Sequence, residues 1–246
     1  MNHKRLTDKA FWENRSAHQH KNEIQFFAHH IIKKYLQKDT KVSFLEFGCY
    51  PGRFLIYFAK MWHYQINGID FDKRIYEIKD KLELLQIKKA KLIYGDIFKY
   101  KTNKLYDVVF SAGLVEHFEN PEKIFDIHLK FLKSKGKLII TLPNMLYFQK
   151  FLRMITHSQK EFDAHNLSCM RPRIWENIAL KNNMRVLYAG YCETFRFWLP
   201  PENNSFLGKC ILNGIRLITI ILRLLHLHQI PNKYFSPHIV IVAEKN

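Results

Sequence analysis

Residues 44–54, which read FLEFGCYPGRF, decide the fold of this 246-residue chain. This apolar run ends at a glycine turn, and about twenty residues later a second run, residues 67–70 (NGID), ends in a carboxylate. Two parallel strands that end in this way, side by side, form a nucleoside pocket at the carboxyl edge of a sheet. The sequence therefore predicts an α/β protein with such a pocket.

The spacing of the glycines argues against a dinucleotide. The G-x-G-x-x-G fingerprint that admits a pyrophosphate requires glycine at the positions of Tyr50 and Arg53, and only Gly48 fits. A cofactor without phosphates needs less clearance, and Asp70 can still accept hydrogen bonds from both ribose hydroxyls. Tyr50 suits this loop if its φ is negative and its ring points outward, because glycine is required only where φ is positive or a ligand touches Cα.

The chain resembles the class I S-adenosylmethionine-dependent methyltransferases, whose motif E/D-x-G-x-G-x-G is followed by an acidic residue that closes strand two. The later blocks of that family follow in the same order: KLIYGD at 91–96, YDVVFSAGLVEHF at 106–118, LKSKGKLIITLPN at 132–144 and HIVIVAEK at 238–245. The chain departs from the family at Tyr50, where glycine is usual, and at Ser134 and Lys135, where Pro-Gly is usual. The resemblance implies a Rossmann-like, doubly wound sheet of seven strands in the order 3-2-1-4-5-7-6, with an antiparallel last strand and helices on both faces.

The resemblance also implies S-adenosylmethionine as the cofactor. It assigns cofactor contacts to Glu46, Gly48, Cys49, Gly52, Asp70, Phe71, Asp96, Ile97 and Ser111. Asp96 corresponds to the residue that receives the adenine amino group in the family. Glu46 would orient the loop or meet a cationic amino group.

His117 is the candidate general base, because histidine titrates near neutrality and the loop after strand four borders the family's acceptor pocket. A structural contact or one to the cofactor's edge is the alternative for this histidine. Glu116, His165 and Glu161 are candidates for acceptor binding.

Several absent motifs narrow the acceptor. Residues 111–114, SAGL, lack the D/N-P-P-Y/F signature of enzymes that methylate base amino groups, and no Pro-Cys nucleophile follows a strand. No cluster of carboxylates and histidines indicates a metal. These absences favour a small-molecule or lipid-linked acceptor methylated at oxygen or nitrogen. An RNA methyltransferase and a non-catalytic scaffold with this fold remain the alternatives.

Charge and cysteine content bear on partners and compartment. The 39 Lys and Arg residues against 22 Asp and Glu residues give a net charge of +17, which attracts anionic partners but also fits dispersed, solvated lysines. No basic recognition helix or aromatic RNA-binding signature is present, so nucleic acid is not favoured. The cysteines at 49, 169, 192 and 210 form no CxxC pair, and the N-terminus has no apolar leader. We therefore expect a cytoplasmic protein, peripheral to the inner face of the membrane if it meets lipid.

The length suits a single domain, 1–246, without a second one. We divide it into an N-terminal helical cap (1–38), a cofactor-binding core (40–144), a substrate cover (145–184) and a hydrophobic insertion (199–237). The pattern predicts strands at 42–47, 65–69, 91–94, 106–110, 137–142, 185–191 and 238–245, and helices at 10–36, 52–62, 73–85, 121–132 and 172–183.

Within the insertion, residues 206–230 predict a helix with a broad apolar face and a narrow polar stripe that includes Lys209, Arg216 and Arg223. An ordinary transmembrane span is excluded, because a span needs about 20 predominantly apolar residues and this segment is interrupted by Lys209, Arg216 and Arg223. The pattern is typical of a helix lying in an anionic membrane surface. A homodimer interface, and internal packing of one helix or of a pair broken near Asn213 and Gly214, are the alternatives.

Overall fold

The computed structural model describes residues 4–13, 26–156, 162–194, 206–226 and 230–246. Its strands are β1 (Ser43–Phe47), β2 (Gln65–Asp70), β3 (Ala90–Tyr94), β4 (Tyr106–Ala112), β5 (Leu132–Pro143), β6 (Met184–Cys192) and β7 (His238–Lys245). They form one sheet in the order β3-β2-β1-β4-β5-β7-β6, in which β7 is antiparallel to both of its neighbours. The fold class and the strand order are therefore confirmed.

Eight α-helices in the described part of the chain surround the sheet: α1 (Lys9–Glu13), α2 (His29–Ile32), α3 (Arg53–Trp62), α4 (Glu77–Leu84), α5 (Pro121–Lys130), α6 (Tyr147–Thr156), α7 (Pro172–Lys181) and α8 (Phe206–Leu224). Short-range chemistry sets several of their ends. The Asn120 side chain caps α5 by accepting from the Lys123 N–H at 3.0 Å, and Pro121 occupies the first turn. Pro172 starts α7 in the same way.

Alternate residues of the strands point to two separate cores. Leu45, Phe47 and Val109 belong to the core that includes residues of α5 and α7. Phe44 and Phe110 belong to the core on the other face, which includes residues of α2, α3 and α4. The period of two along each strand thus produces a three-layer molecule with helices on both faces of the sheet.

Three predicted helices differ from the observed ones. The helical region expected over 10–36 is interrupted among the described residues: Lys9–Glu13 and His29–Ile32 are α-helical, whereas Phe26 lies in a non-helical segment. Residues 14–25 lie outside the description. The segment 73–85 begins as a 3₁₀ turn, Lys73–Tyr76. The helix predicted to reach residue 132 ends at Lys130, since Leu132 is fully buried and pairs with Tyr106 as the start of β5.

The ends of the strands place the site. Strands β1, β2 and β4 are parallel, so their carboxyl ends meet at one edge of the sheet. Strand β6 ends and β7 begins at that same edge, because β7 runs antiparallel. The insertion between β6 and β7 therefore leaves from the edge that carries the predicted pocket. None of the helices in the described ranges is both long enough and apolar enough to cross a bilayer.

Candidate active site

The turn after β1 requires glycine at two positions. Gly48 has φ +69°, and its N–H donates to the Ile69 carbonyl at 2.9 Å, which ties the turn to β2. A Cβ at Gly48 would lie 3.2 Å from Leu114 Cδ1. Gly52 has φ +90°, and a Cβ there would lie 2.7 Å from Ile78 Cγ2, so any side chain would displace α4 as well as strain the backbone. The turn is therefore narrow, and helix α3 starts directly behind it.

The Asp70 carboxylate lies beneath this turn at the end of β2. Its oxygens accept hydrogen bonds from the backbone N–H groups of Tyr50 and Asp72, both at 2.8 Å. Burial raises the pKa of Asp70 to about 6, although these two hydrogen bonds act in the opposite direction. The side chain borders a cavity whose walls also include Gly48, Phe71 and Ile97. Asp70 therefore presents acceptor oxygens to that cavity from a fixed position.

A second buried carboxylate, Glu46, lies one strand away. It is 1% exposed, and its Oε2 atom has no hydrogen-bond partner among the described residues. Burial, reinforced by the charge of Asp70, raises the pKa of Glu46 well above its usual range. Two carboxylates buried this close together favour a cationic ligand, because positive charge would offset the cost of their desolvation.

Tyr50 does not obstruct the cavity. Its φ is not positive, and its hydroxyl donates to Glu77 Oε2 at 3.0 Å on the exposed side of the loop. The guanidinium of Arg74 lies 4.8 Å from the centre of the tyrosine ring. Both conditions under which a tyrosine suits this loop are thus met.

The N-terminal segment forms the opposite wall of the cavity, through Arg5, Thr7 and Trp12. Its backbone is anchored to the loop after β4, where the Leu6 N–H donates to the His117 carbonyl at 2.9 Å. At its other end the Trp12 carbonyl accepts from Arg74 Nη2 at 2.7 Å. Residues 4–13, which we call the N-terminal strap, therefore lie across the mouth of the cavity.

Arg5 makes the closest contacts of the strap. Its guanidinium forms an ion pair with Asp96 and lies 5.1 Å from the centre of the Phe71 ring. Phe98 and Phe118 surround the same guanidinium at 5.6 and 5.7 Å. A flat cation thus stands beside Asp96 and Phe71, two of the residues that the resemblance assigns to the cofactor.

The imidazole of His117 forms the far side of the cavity. Its Nδ1 lies 2.7 Å from the Ala164 carbonyl, a contact that makes Nδ1 the donor, so Nε2 is the basic nitrogen of the neutral ring. Nε2 lies 3.9 Å from Glu116 Oε1, and both residues are buried. The ring of Trp12 meets the imidazole edge-on at 4.8 Å, and the ring of His165 lies 4.6 Å away.

Glu116, His117 and His165 also form a group that could hold a metal ion. Each offers one ligand atom, and these atoms all lie within 4.8 Å of one another. The sequence indicated no such cluster, because 47 residues separate His117 from the segment that carries Ala164 and His165. The absence of a metal stays a prediction.

The remaining predicted site residues lie at different depths. Cys49 is buried and packs against Gly68, where a Cβ would meet its Sγ at 2.6 Å, so its side chain points away from the cavity. Ser111 is fully buried and does not border the cavity. Gly52 faces Ile78, whereas Ile97 and Phe71 line the cavity. Glu161 lies outside the described residues.

The sequence did not indicate His128, whose imidazole contacts the Ser111 hydroxyl. Its Nδ1 lies 2.7 Å from the Ile124 carbonyl, and its Nε2 lies 2.9 Å from Ser111 Oγ. Burial lowers the pKa of His128 to about 4, so the ring is neutral at pH 7 and bridges α5 and β4. In the sequence only the spacing of His128 along α5 distinguishes it, and that signal is weak because the chain has 13 histidines.

Comparison with known proteins agrees with the architecture of the sheet. The model of the family described as "Methyltransferase domain" matches residues 11–189. The chain therefore belongs to the methyltransferase domain family, and its sheet has the strand order of the class I S-adenosylmethionine-dependent methyltransferases.

A curated relative is the (S)-tetrahydroprotoberberine N-methyltransferase of Eschscholzia californica, 25% identical over 200 residues, which cover 80% of this chain and 51% of the relative. This chain thus spans about half the length of that relative.

Two solved structures show the same fold at low sequence identity. The geranyl diphosphate C-methyltransferase of Streptomyces coelicolor A3(2), in complex with Mg²⁺, geranyl diphosphate and S-adenosyl-L-homocysteine, has a TM-score of 0.60 at 12% identity, over 88% of this chain and 78% of that one. The plantazolicin methyltransferase BpumL, in complex with a pentazolic desmethylPZN analog and SAH, has a TM-score of 0.52 at 23% identity, over 83% of this chain and 77% of that one.

The pKa of His128 predicts a pH-dependent stability. A histidine whose pKa is lowered on folding binds its proton in the unfolded chain first, so stability falls as pH drops from 6.5 towards 4. We expect this residue to account for a loss of up to about 3 kcal/mol over that interval. Urea unfolding of the wild type and of His128→Gln at several pH values measures it.

Acidification through the raised pKa of Asp70 stabilises the folded protein, opposite to the effect of His128. The informative quantity is therefore the difference in stability between the wild type and His128→Gln at each pH. We expect His128→Gln to be less stable at pH 7.5 and to lose less stability on acidification. Parallel curves would show that His128 titrates normally in the folded protein.

Proposed function

We propose that this chain is an enzyme that transfers a methyl group from S-adenosylmethionine to a nitrogen or oxygen atom of a small-molecule acceptor. The observation that carries the proposal is the Asp70 carboxylate, fixed by two backbone N–H groups beneath a glycine turn and presented to a cavity. Family membership supports the same activity. In a scaffold that binds no cofactor, burial of Glu46 and Asp70 as a pair would cost free energy with no ligand to offset it.

The residues fit the cofactor. Asp70 would accept from the ribose hydroxyls, and the buried Oε2 of Glu46 offers an acceptor for the cationic amino group. Gly48 keeps side chains out of the path between them. S-adenosylmethionine supplies an activated methyl group bonded to a sulfonium, so the protein mainly aligns the acceptor and excludes water.

The acceptor site lies on the side of His117. With Nδ1 held by the Ala164 carbonyl, His117 would use Nε2 to take the proton from the attacking nitrogen or oxygen, and Glu116 would stabilise the resulting imidazolium. A buried carboxylate with the aromatic rings of Phe11 and Trp12 nearby suits a cationic amine. The likeness to an N-methyltransferase also favours nitrogen. A lipid-linked acceptor stays part of the proposal.

An RNA acceptor is the weaker candidate. The charge of +17 could attract nucleic acid, but the cavity walls carry the Asp70 carboxylate and aromatic rings, and Arg5, which also borders the cavity, is already paired to Asp96. Mass spectrometry of ligands that co-purify with the protein tests the cofactor and the acceptor class together. Recovery of S-adenosylmethionine or its demethylated product would support the proposal.

Asp70 should make cofactor affinity depend on pH. Its ionised form is the better acceptor for two hydroxyls, so binding should weaken as pH falls through about 6. Between pH 7.5 and pH 5 we expect a loss of about tenfold in affinity for S-adenosylhomocysteine, measured by calorimetry. Asp70→Asn should bind much more weakly and lack this component of the pH dependence. Unchanged affinity in Asp70→Asn and in Gly48→Val would contradict the cofactor assignment.

His117→Ala tests the general base. We expect turnover to fall by about 10²-fold or more, while affinity for S-adenosylhomocysteine changes by less than about threefold. The measurement is release of S-adenosylhomocysteine with whichever member of a panel of amines and phenols the wild type methylates. His30→Ala serves as the matched control, because His30 is an exposed histidine on α2 and does not border the cavity. Equal turnover in wild type and His117→Ala would dismiss His117 as a base.

Arg5 should compete with the cofactor. Because its guanidinium occupies the surroundings of Asp96 and Phe71, we expect Arg5→Ala to bind S-adenosylhomocysteine more tightly, by up to about tenfold. Lys4→Ala is the matched control, since its exposed ion pair with Glu119 at 2.6 Å belongs to the same strap but does not involve Asp96. A lower affinity in Arg5→Ala would mean that Arg5 binds the cofactor instead of excluding it.

A further inference from the structure

Helix α8 exposes a broad apolar surface. Six large side chains on it and on the residue after it are between 48% and 73% exposed: Leu217, Ile218, Ile220, Ile221, Leu224 and Leu225. At about 100° per residue these six span roughly 160° of the helix circumference. Ile215, Thr219 and Leu222, on the remaining side, are less exposed. The helix is continuous through Asn213 and Gly214, so the interpretation as a broken helical pair is wrong.

One edge of this surface is cationic. Lys209, Arg216 and Arg223 follow one another at intervals of seven residues, which places them along one line of the helix beside the apolar arc. Asn213 accepts from Arg216 at 3.2 Å. Residues 206–230 contain no aspartate or glutamate. The helix therefore combines apolar area with positive charge that has no acidic counterpart in its own segment.

A second apolar patch lies at the same edge of the sheet. The Asn144 side chain, just after β5, donates to the carbonyls of Lys233 and Ser236, which fixes the end of the insertion there. The rings of Tyr147 and Tyr234 meet at 5.2 Å, and the ammonium of Lys233 lies over both. These two tyrosines are 41% and 50% exposed, and Phe151 on α6 is 57% exposed. Tyrosine and lysine together are typical of the boundary between water and lipid.

We propose that α8, with the patch around Tyr147 and Tyr234, docks on an anionic membrane surface, with the helix lying in the plane of the head groups. The apolar arc would enter the acyl boundary while Lys209, Arg216 and Arg223 meet lipid phosphates. The net charge of +17 adds a long-range attraction to such a surface.

A second copy of the chain fits this surface less well. An antiparallel two-fold interface through α8 would bring each cationic line close to its symmetry mate, and in any pairing of two α8 helices the segment 206–230 holds no carboxylate to pair with the cations. A lipid head group supplies the missing negative charge. The exposed apolar side chains argue against internal packing of the described part of α8.

Docking would turn the edge that carries the cavity towards the lipid. The insertion leaves from the carboxyl ends of the strands, where Asp70 and His117 also lie. Resting on the proposed methyl transfer, this orientation favours acceptors that partition into the bilayer: amphipathic amines or phenols, or head groups linked to lipid chains.

Vesicle flotation tests the proposal with the whole 246-residue chain. We expect the wild type to float with vesicles of phosphatidylcholine and phosphatidylglycerol at 7:3, and much less with phosphatidylcholine alone. For the double variant Leu217→Asp and Ile221→Asp, the fraction bound to vesicles should fall by at least about tenfold. Arg216→Gln should weaken only the binding that depends on anionic lipid.

Leu180→Asp is the matched control, because Leu180 is an equally exposed leucine, 55%, on α7. It should float like the wild type, and circular dichroism should show that all variants are folded. Flotation of the wild type with neither vesicle, or equal flotation of the double variant, would overturn the proposal. So would a wild-type dimer by light scattering that the double variant converts to monomer without any vesicle binding. Since flotation requires no cofactor, its failure is distinguishable from a failure to bind S-adenosylhomocysteine.

Discussion

The burial of two carboxylates at the ends of adjacent strands is the constraint on which the site depends. Glu46 on β1 and Asp70 on β2 are almost entirely buried, and burial raises the pKa of both. The backbone N–H groups of Tyr50 and Asp72 compensate Asp70 only in part. Such a pair stays in a folded protein when a ligand offsets its cost, and the proposed sulfonium cofactor with its amino group brings two positive charges.

The charge around the cavity is opposite in sign to that of the chain as a whole. The chain has an excess of 17 positive charges, yet the residues that meet beneath the glycine turn are acidic. Arg5 enters from the N-terminal strap and pairs with Asp96, so a basic side chain closes an acidic site. The strap is also held by the hydrogen bonds of Leu6 and Trp12 and by the ion pair of Lys4 with Glu119.

The topology places both the cavity and the insertion that carries α8 at the carboxyl edge of the sheet. Because β7 is antiparallel, the chain leaves and re-enters the sheet at that edge, and α8 is inserted there. The insertion that carries α8 therefore starts and ends at the edge of the sheet where the cavity lies. In this arrangement a peripheral protein could take an acceptor from the lipid boundary without releasing it into water, which would explain why hydrophobic side chains such as Leu217 and Leu224 remain exposed.

Local patterns in the sequence were sufficient for the strands, the glycine turn, Asp70 and the helix of the insertion, and the family resemblance implied the order of the strands in the sheet. Strand period, positive-φ glycines and the ordered motif blocks depend on neighbours along the chain or on a resemblance carried by short segments. The helical region predicted over 10–36 is not α-helical at Phe26, whose ring packs against Tyr57 and Phe110, two contacts that spacing along the chain does not encode.

Only the tertiary structure brought Arg5 to Asp96, His165 to His117 and His128 to Ser111. The first of these contacts joins residues 91 positions apart. A side chain's charge, tautomer and pKa depend on the groups that surround it in space, and spacing along the chain does not encode those groups. The sequence thus determined the glycine turn and the carboxylate that border the pocket, and the folded structure determined which side chains close the pocket, fix the orientation of His117 and leave α8 exposed.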